Sequence, residues 1–167
     1  MSTSKPKSGV EPSASLNRFT IGVVTDPVER VAIFGVRMLV FVEEQQVPAE
    51  EELDAYDETA THFYMSDNAP HIEPRGKIVA TARLLNKGQG LGKIGRVAVL
   101  KEYRGMGNGA SLMRFVETHA RSAGYQRLAL EAQCYAIPFY EGLGYIAEGE
   151  VFLDAGIEHR LMQKPLS

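Results

Sequence analysis

The 167-residue chain contains one cysteine, Cys134. No internal disulfide can form, and a reducing compartment, the cytoplasm, is expected. Long apolar runs are missing as well. None approaches the ~20 residues of a membrane span, which excludes an integral membrane protein. There is no excess of positive charge: the formal charge is −3, so a nucleic-acid partner held by bulk charge is not expected. The four histidines, at 62, 71, 119 and 159, show no HxxxH spacing and no cysteine pair, so no metal is expected. The N-terminal stretch lacks the apolar segment of a secretory signal, and no arginine precedes Arg18, which argues against a transit peptide.

What is present is an ordinary globular composition, 44% hydrophobic and 23% charged. The length suits one domain with a core that needs no staples. Residues 1–17 carry five serines, two prolines and two lysines and almost nothing apolar, so a disordered tail is expected there, followed by a single domain over 18–167. Charge is unevenly spread. Glu43 to Glu58 holds eight acids and no base, which leaves the rest of the chain at +5. One region can therefore attract cations while another holds anions.

The pattern of the chain predicts a mixed α/β fold. Phe19–Val24 reads as a strand, and Thr25-Asp26-Pro27 as a helix start. Val31, Phe34, Met38 and Phe41 follow helical steps and are expected on the buried face. The acidic run follows as loop or short helix. His62–Ser66 and Lys77–Leu85 read as strands flanking a polar loop with Pro70 and Pro74. Gly88, Gly90 and Gly92 make a hairpin turn before the strand Lys93–Leu100. Gly107–Ala123 reads as a helix with Leu112, Met113, Val116, Ala120 and Ala123 inward. Its other face carries Arg114, Glu117, Thr118 and Arg121. Arg127–Glu131, Tyr145–Ala147 and Ile157–Gln163 are candidate strands, with a short helix over Ile137–Leu143.

The strongest local signal is Arg104-Gly105-Met106-Gly107-Asn108-Gly109-Ala110, between a strand and a helix. Glycines let successive N–H groups face one concave side, and the helix adds unpaired N–H groups and the positive end of its dipole. Arg104 supplies a charge with bidentate geometry for phosphate oxygens. The turn thus reads as a pyrophosphate site. A P-loop is excluded, because no lysine sits at the helix start. A dinucleotide site needs GxGxxG directly after the strand, whereas Lys101-Glu102-Tyr103-Arg104 intervenes; that reading keeps only Glu131 at the end of the next strand. A plain connection without ligand is the third reading.

At these residues the sequence resembles the GNAT superfamily of acyl-CoA N-acyltransferases. Arg104–Gly109 matches the superfamily's [Q/R]xxGx[G/A] turn, and Arg96-Val97-Ala98-Val99-Leu100 its preceding strand. The run from Gln133 to Tyr145, with Tyr140 four residues before Gly144, is similar to its second motif. Arg37–Pro48 and Asp154–His159 look like the ElaA-like branch. The resemblance covers residues 19–164. It implies a mostly antiparallel central sheet flanked by helices and splayed at an acetyl-CoA cleft. Pantetheine would pair with the backbone of Val97, Ala98 and Val99, and the pyrophosphate would sit on the amides from Arg104 through Gly105, Met106, Gly107, Asn108 and Gly109 to Ala110.

The implied activity is acetyl transfer to a primary amine of a small molecule, an amine or an amino sugar. Protein amino groups are the alternative acceptor, and a non-catalytic acyl-CoA sensor or a dinucleotide-binding protein are the rival functions. Tyr140 is the candidate acid for the thiolate, since a phenol holds its proton at neutral pH. Many relatives carry a basic carboxylate on the strand where this chain has Arg96. Glu44 is the substitute, with Glu131 second. Arg37 and Arg96 either recognise an anionic group on the acceptor or pair with the acids, and Gln45 and His62 border the same pocket. Cys134 is read as a small buried residue rather than a nucleophile. Relatives are often dimers, so a homodimer is allowed.

Overall fold

The computed structural model describes residues 18–69, 71–72 and 76–167. The expected tail over 1–17, together with Pro70 and Pro74, lies outside them. Strand β1 (Phe19–Val23) leads into α1 (Pro27–Arg37). The helix start works as the sequence suggests. Asp26 accepts a hydrogen bond from the Glu29 N–H at 2.8 Å, the Thr25 N–H donates back to Glu29 at 3.0 Å, and Pro27 needs no donor partner in the first turn.

Past Arg37 the helix widens. Met38–Glu44 forms π-type turns, in which the Gln45 N–H reaches back five residues to the Val40 carbonyl. The buried face is set by Ile33, Val36, Arg37, Val40 and Phe41. Val31 is 72% exposed, contrary to the expected stripe. The inward positions step regularly from Ile33 through Val36 and Arg37 to Val40, and Val31 lies off that stripe.

The acidic stretch folds into α2 (Ala49–Glu52) and a 3-10 turn at Ala55–Glu58. Then come β2 (Thr61–Asp67), β3 (Lys77–Asn86), β4 (Leu91–Val99), α3 (Asn108–Ser122), β5 (Arg127–Gln133), α4 (Ile137–Gly142), β6 (Ile146–Asp154) and β7 (Ile157–Pro165). Gly92 lies inside β4; the hairpin turn itself closes from Lys87 to Leu91. The sheet order is β1-β2-β3-β4-β5-β7-β6. Every neighbouring pair is antiparallel except β4–β5.

β3 is buried almost end to end, as a strand covered on both faces must be. Leu112, Met113, Val116 and Ala120 of α3 join Phe63, Leu84, Ile94 and Leu128 in the core. Two residues on α3 depart from expectation. Ala123 is exposed, because the helix ends at Ser122 and Gly124 turns at φ +89°. Glu117 is buried, its carboxylate held 2.9 Å from Lys164 Nζ and 3.2 Å from the Tyr145 hydroxyl. Among the described residues no helix is long and apolar enough to cross a membrane.

Two features of β4 create the site. It pairs with β5 only from Leu91 to Ile94, against Arg127 to Leu130. Beyond Ile94 the two strands part. There, too, Arg96 adopts φ +51°, and Arg96-Val97 stand opposite the single residue Ala82, a β-bulge that bends the strand.

Candidate active site

A cavity of about 680 Å³ opens where β4 and β5 separate. Its first end is the glycine turn. Gly105 and Gly107 take φ +77° and +84°. A Cβ on either would meet nothing within 4 Å, so backbone conformation rather than packing calls for glycine here. Gly107 caps α3 and accepts the Ser111 N–H at 3.0 Å. The amides of Asn108, Gly109 and Ala110 in the first turn have no partner inside the helix. Asn108 is buried and anchors the turn by donating to the Tyr103 carbonyl at 3.0 Å. Met106 is 50% exposed and off the cavity lining, so it offers the turn only its backbone.

Arg104 is positioned by its Nε, which donates to the Val99 carbonyl at 2.8 Å. Its Nη atoms grip both oxygens of Glu44 at 3.0 Å. This corrects the expectation for Glu44: its carboxylate is engaged by Arg104 and does not line the cavity, so it is not placed to take an acceptor's proton. Val97, Ala98 and Val99 do line it, on the side of β4 that β5 leaves unpaired.

The second end lies under Val40, Phe41, Gln45 and Val47. Gln133 Nε2 donates to Gln45 Oε1 at 2.8 Å, joining the end of β5 to the segment after α1. Glu131 also lines this end and pairs with Lys93 at 3.1 Å. Glu51 and Asp154 add two exposed carboxylates.

Beside this end sits a cluster of three arginines and three carboxylates. Arg37 donates to Glu52 at 2.8 Å and to Asp57 at 2.7 and 3.1 Å. Arg83 donates to Asp54 at 2.7 and 2.9 Å and to Asp57 at 2.8 Å. Arg96 lies 3.2 Å from Glu52 and 3.3 Å from Asp54, and donates to the Glu52 carbonyl. Burial pushes the Asp57 carboxyl up, but the Arg37 and Arg83 guanidiniums and the Asp54 N–H outweigh it and hold it far below the carboxylate range. For Glu52 burial prevails over Arg37 and Arg96, and its carboxyl is raised.

Of the expected acceptor residues, Arg37 takes its alternative, pairing with the acids, and His62 stands away from the cavity. Arg37 is 1% exposed with its donors spent on Glu52 and Asp57, behind the cavity wall. His62 is buried off the cavity, with Nε2 2.8 Å from the Asp57 carbonyl. Its burial lowers its pKa and keeps the ring neutral. Arg96 and Gln45 do line the cavity.

Tyr140 lines the cavity. Its ring packs edge-on against Phe139 at 5.0 Å and Tyr145 at 6.0 Å. Burial pushes its phenol well above the usual range, so the hydroxyl keeps its proton. Glu52, Asp154 and His159 also reach the cavity without having been singled out as site residues. Asp154 and His159 bound the segment that resembles the ElaA-like branch, and Glu52 lies in the acidic run, but neither pattern gives a side chain a role. Among the described residues no three metal-ligating side chains converge.

Residues 40–166 match the family model for the acetyltransferase (GNAT) domain. The chain is 40% identical over 132 residues to the uncharacterized N-acetyltransferase YjcF of Bacillus subtilis, covering 78% of this chain and 89% of that protein. Among solved structures, Escherichia coli ElaA superposes with a TM-score of 0.74 at 26% identity, over 87% of this chain and 99% of its own. An acyl-CoA N-acyltransferase from Pseudomonas aeruginosa gives 0.71 at 28%, over 87% and 97%.

Proposed function

This chain belongs to the GNAT acetyltransferase family, and we propose that it moves an acetyl group from acetyl-CoA directly to the primary amine of a small molecule. The observation that carries this reading is the parting of β4 and β5 beside the glycine turn. Unpaired amides at the start of α3 suit a pyrophosphate, and the free side of β4 at Val97 to Val99 suits the amides of a pantetheine arm. The carboxylates of Glu51 and Asp154 at the other end favour a cationic acceptor, an amine or an amino sugar.

Transfer needs a donor for the developing oxyanion, and the Val97 N–H at the bulge supplies it. It needs a proton for the departing thiolate, and Tyr140 supplies that, a contribution of ~10²–10⁴ in rate. Arg96 and Gln45 orient the acceptor. The single cysteine suits a cytoplasmic setting.

A thermal-shift comparison of acetyl-CoA, NAD and ATP tests the reading. Acetyl-CoA at a hundredfold excess over its Kd is expected to add ~2.7 kcal/mol to stability. A shift with NAD and none with acetyl-CoA overturns it. Release of CoA over a panel of primary amines then separates an enzyme from an acyl-CoA sensor.

A further inference from the structure

We propose that His159 is the general base of the transfer, its Nε2 taking the proton from the acceptor ammonium. The inference rests on the cavity's being a transferase site.

His159 stands on β7 opposite Gln133 of β5 and Phe152 of β6. Residues opposite one another in a sheet share a face. His159 therefore lies on the face that carries Gln133 and, two residues earlier on the same strand, Glu131. All three line the cavity. The ring is fixed in two ways. It stacks on Phe152 with centroids 5.8 Å apart, and its Nδ1 lies 2.7 Å from the Ile157 carbonyl oxygen. A carbonyl only accepts, so Nδ1 must carry the hydrogen. The lone pair of the neutral ring is then at Nε2.

That nitrogen has no protein partner among the described residues, and it is not sealed off. Among the described residues the buried side-chain nitrogens without partners are His62 Nδ1 and Arg83 Nε. The other bases near the cavity are held or unfixed. Glu52 is gripped by Arg37 and Arg96, Glu131 by Lys93, and Glu44 by Arg104. A carboxylate against a guanidinium or ammonium is a poor proton acceptor. Glu51 and Asp154 are exposed and make no side-chain bond that orients them. Among the described residues of the cavity, His159 alone combines a locked orientation with an uncommitted lone pair.

The proton balance closes. The ammonium gives one proton to His159 Nε2, and the neutral nitrogen attacks the thioester carbonyl carbon. The C–N bond forms and the C–S bond breaks. Tyr140 gives its proton to the thiolate and recovers one from the nitrogen, now an amide. The imidazolium returns its proton to solvent.

The test compares ethylamine with 2,2,2-trifluoroethylamine, two acceptors of like shape, of which the second is largely neutral near neutral pH. His159→Asn keeps a donor for the Ile157 carbonyl and removes the basic nitrogen. We expect kcat/KM for ethylamine to fall by about 100-fold or more, that for trifluoroethylamine to fall far less, and the Kd of acetyl-CoA to hold. An undiminished ethylamine rate, or equal loss with both amines, overturns the base and leaves the transferase reading standing. Absence of transfer by the unaltered protein to either amine and to a wider panel overturns both. Nitrogen-15 NMR of the imidazole gives a readout without turnover: a hydrogen on Nδ1 and none on Nε2 is expected, and the opposite tautomer overturns the assignment.

Discussion

The guanidinium of Arg104 faces the carboxylate of Glu44 across sixty residues of sequence, with both N–O distances 3.0 Å. The pair sits at the rim of the glycine turn and leaves it with little net charge. Glu44→Gln frees a positive charge at the turn proposed to hold the pyrophosphate. Its Kd for acetyl-CoA is expected to tighten by about two- to fivefold at low salt, with the gain fading as salt rises. Arg104→Ala is expected to weaken binding, again most at low salt. Isothermal titration at two ionic strengths measures both. A loss of turnover in Glu44→Gln that high pH restores would return Glu44 to the role of base and displace His159.

Gly107 turns at φ +84° with open space where a Cβ would stand. Gly107→Val therefore meets no clash in the protein, only the strain of a left-handed backbone, about 1–2 kcal/mol. Its side chain would occupy the phosphate cradle. We expect acetyl-CoA affinity to fall more than about tenfold, with a loss in Tm of only ~2–8 °C. Parent-like affinity would contradict the phosphate reading of the turn.

Asp57 lies between Arg37 and Arg83, all three buried. Asp57→Asn leaves two guanidiniums short of an anion and is expected to cost ~3–5 kcal/mol of stability, measured by denaturant unfolding. A loss below about 1 kcal/mol would show that the cluster relaxes or admits water.

Acid stability follows from the same carboxylates. The Arg18 guanidinium, the Tyr103 hydroxyl and the Ala69 N–H outweigh burial and hold Asp67 down to about 2. Asp54, bonded to Arg83, and Asp57 are held low as well. A depressed carboxyl adds stability above its unfolded value, ~3.9, and that stability is lost as pH falls through the folded value. Glu52, raised by burial, acts in the opposite sense. The three aspartates outnumber it. Tm is expected to decline gently below about 6.5, where the unfolded chain protonates His62 and the buried ring resists the charge, and to fall steeply between about 4 and 2. A flat profile down to pH 3 would contradict this.

Tyr140→Phe removes one hydroxyl and keeps the ring packed against Phe139 and Tyr145. We expect kcat to fall ~10²–10⁴-fold with the Kd of acetyl-CoA unchanged, since the ground-state thioester sulfur is a poor acceptor. Near-normal kcat with a lower Tm would make Tyr140 a packing residue.

The glycine turn and Tyr140 were legible in the sequence because each lies in a short contiguous motif that fixes its own backbone. Most strands were legible for the same local reason, but β6 runs from Ile146 to Asp154 where only Tyr145–Ala147 is expected, because its exposed, mixed sequence carries little alternation. What the sequence hid was non-local. For Arg37 the sequence leaves an acceptor anion and the acids as alternative partners; only the fold brings Glu52 and Asp57 onto it. Glu117 looks solvated until Lys164 arrives from β7. Val31 turns outward because the buried stripe runs through Ile33, Val36, Arg37 and Val40, and the buried arginine in it reads as polar in the sequence. His159 closes the Asp154–His159 segment that resembles the ElaA-like branch, which does not say what its side chain faces. Only the pairing of β7 with β5 brings it beside Gln133.

The central claim is that acetyl-CoA lies in the opening between β4 and β5 with its pyrophosphate on the amides of the glycine turn. Amide hydrogen exchange, read residue by residue with and without acetyl-CoA, tests it most directly. We expect the amides of Gly105 and of Gly107 to Ala110 to slow by about tenfold or more, together with those of Val97 and Val99 on the free side of β4. Strong binding that leaves these amides unprotected, or that protects the separate depression around Gly88–Gly90 and Gly124 instead, would contradict it.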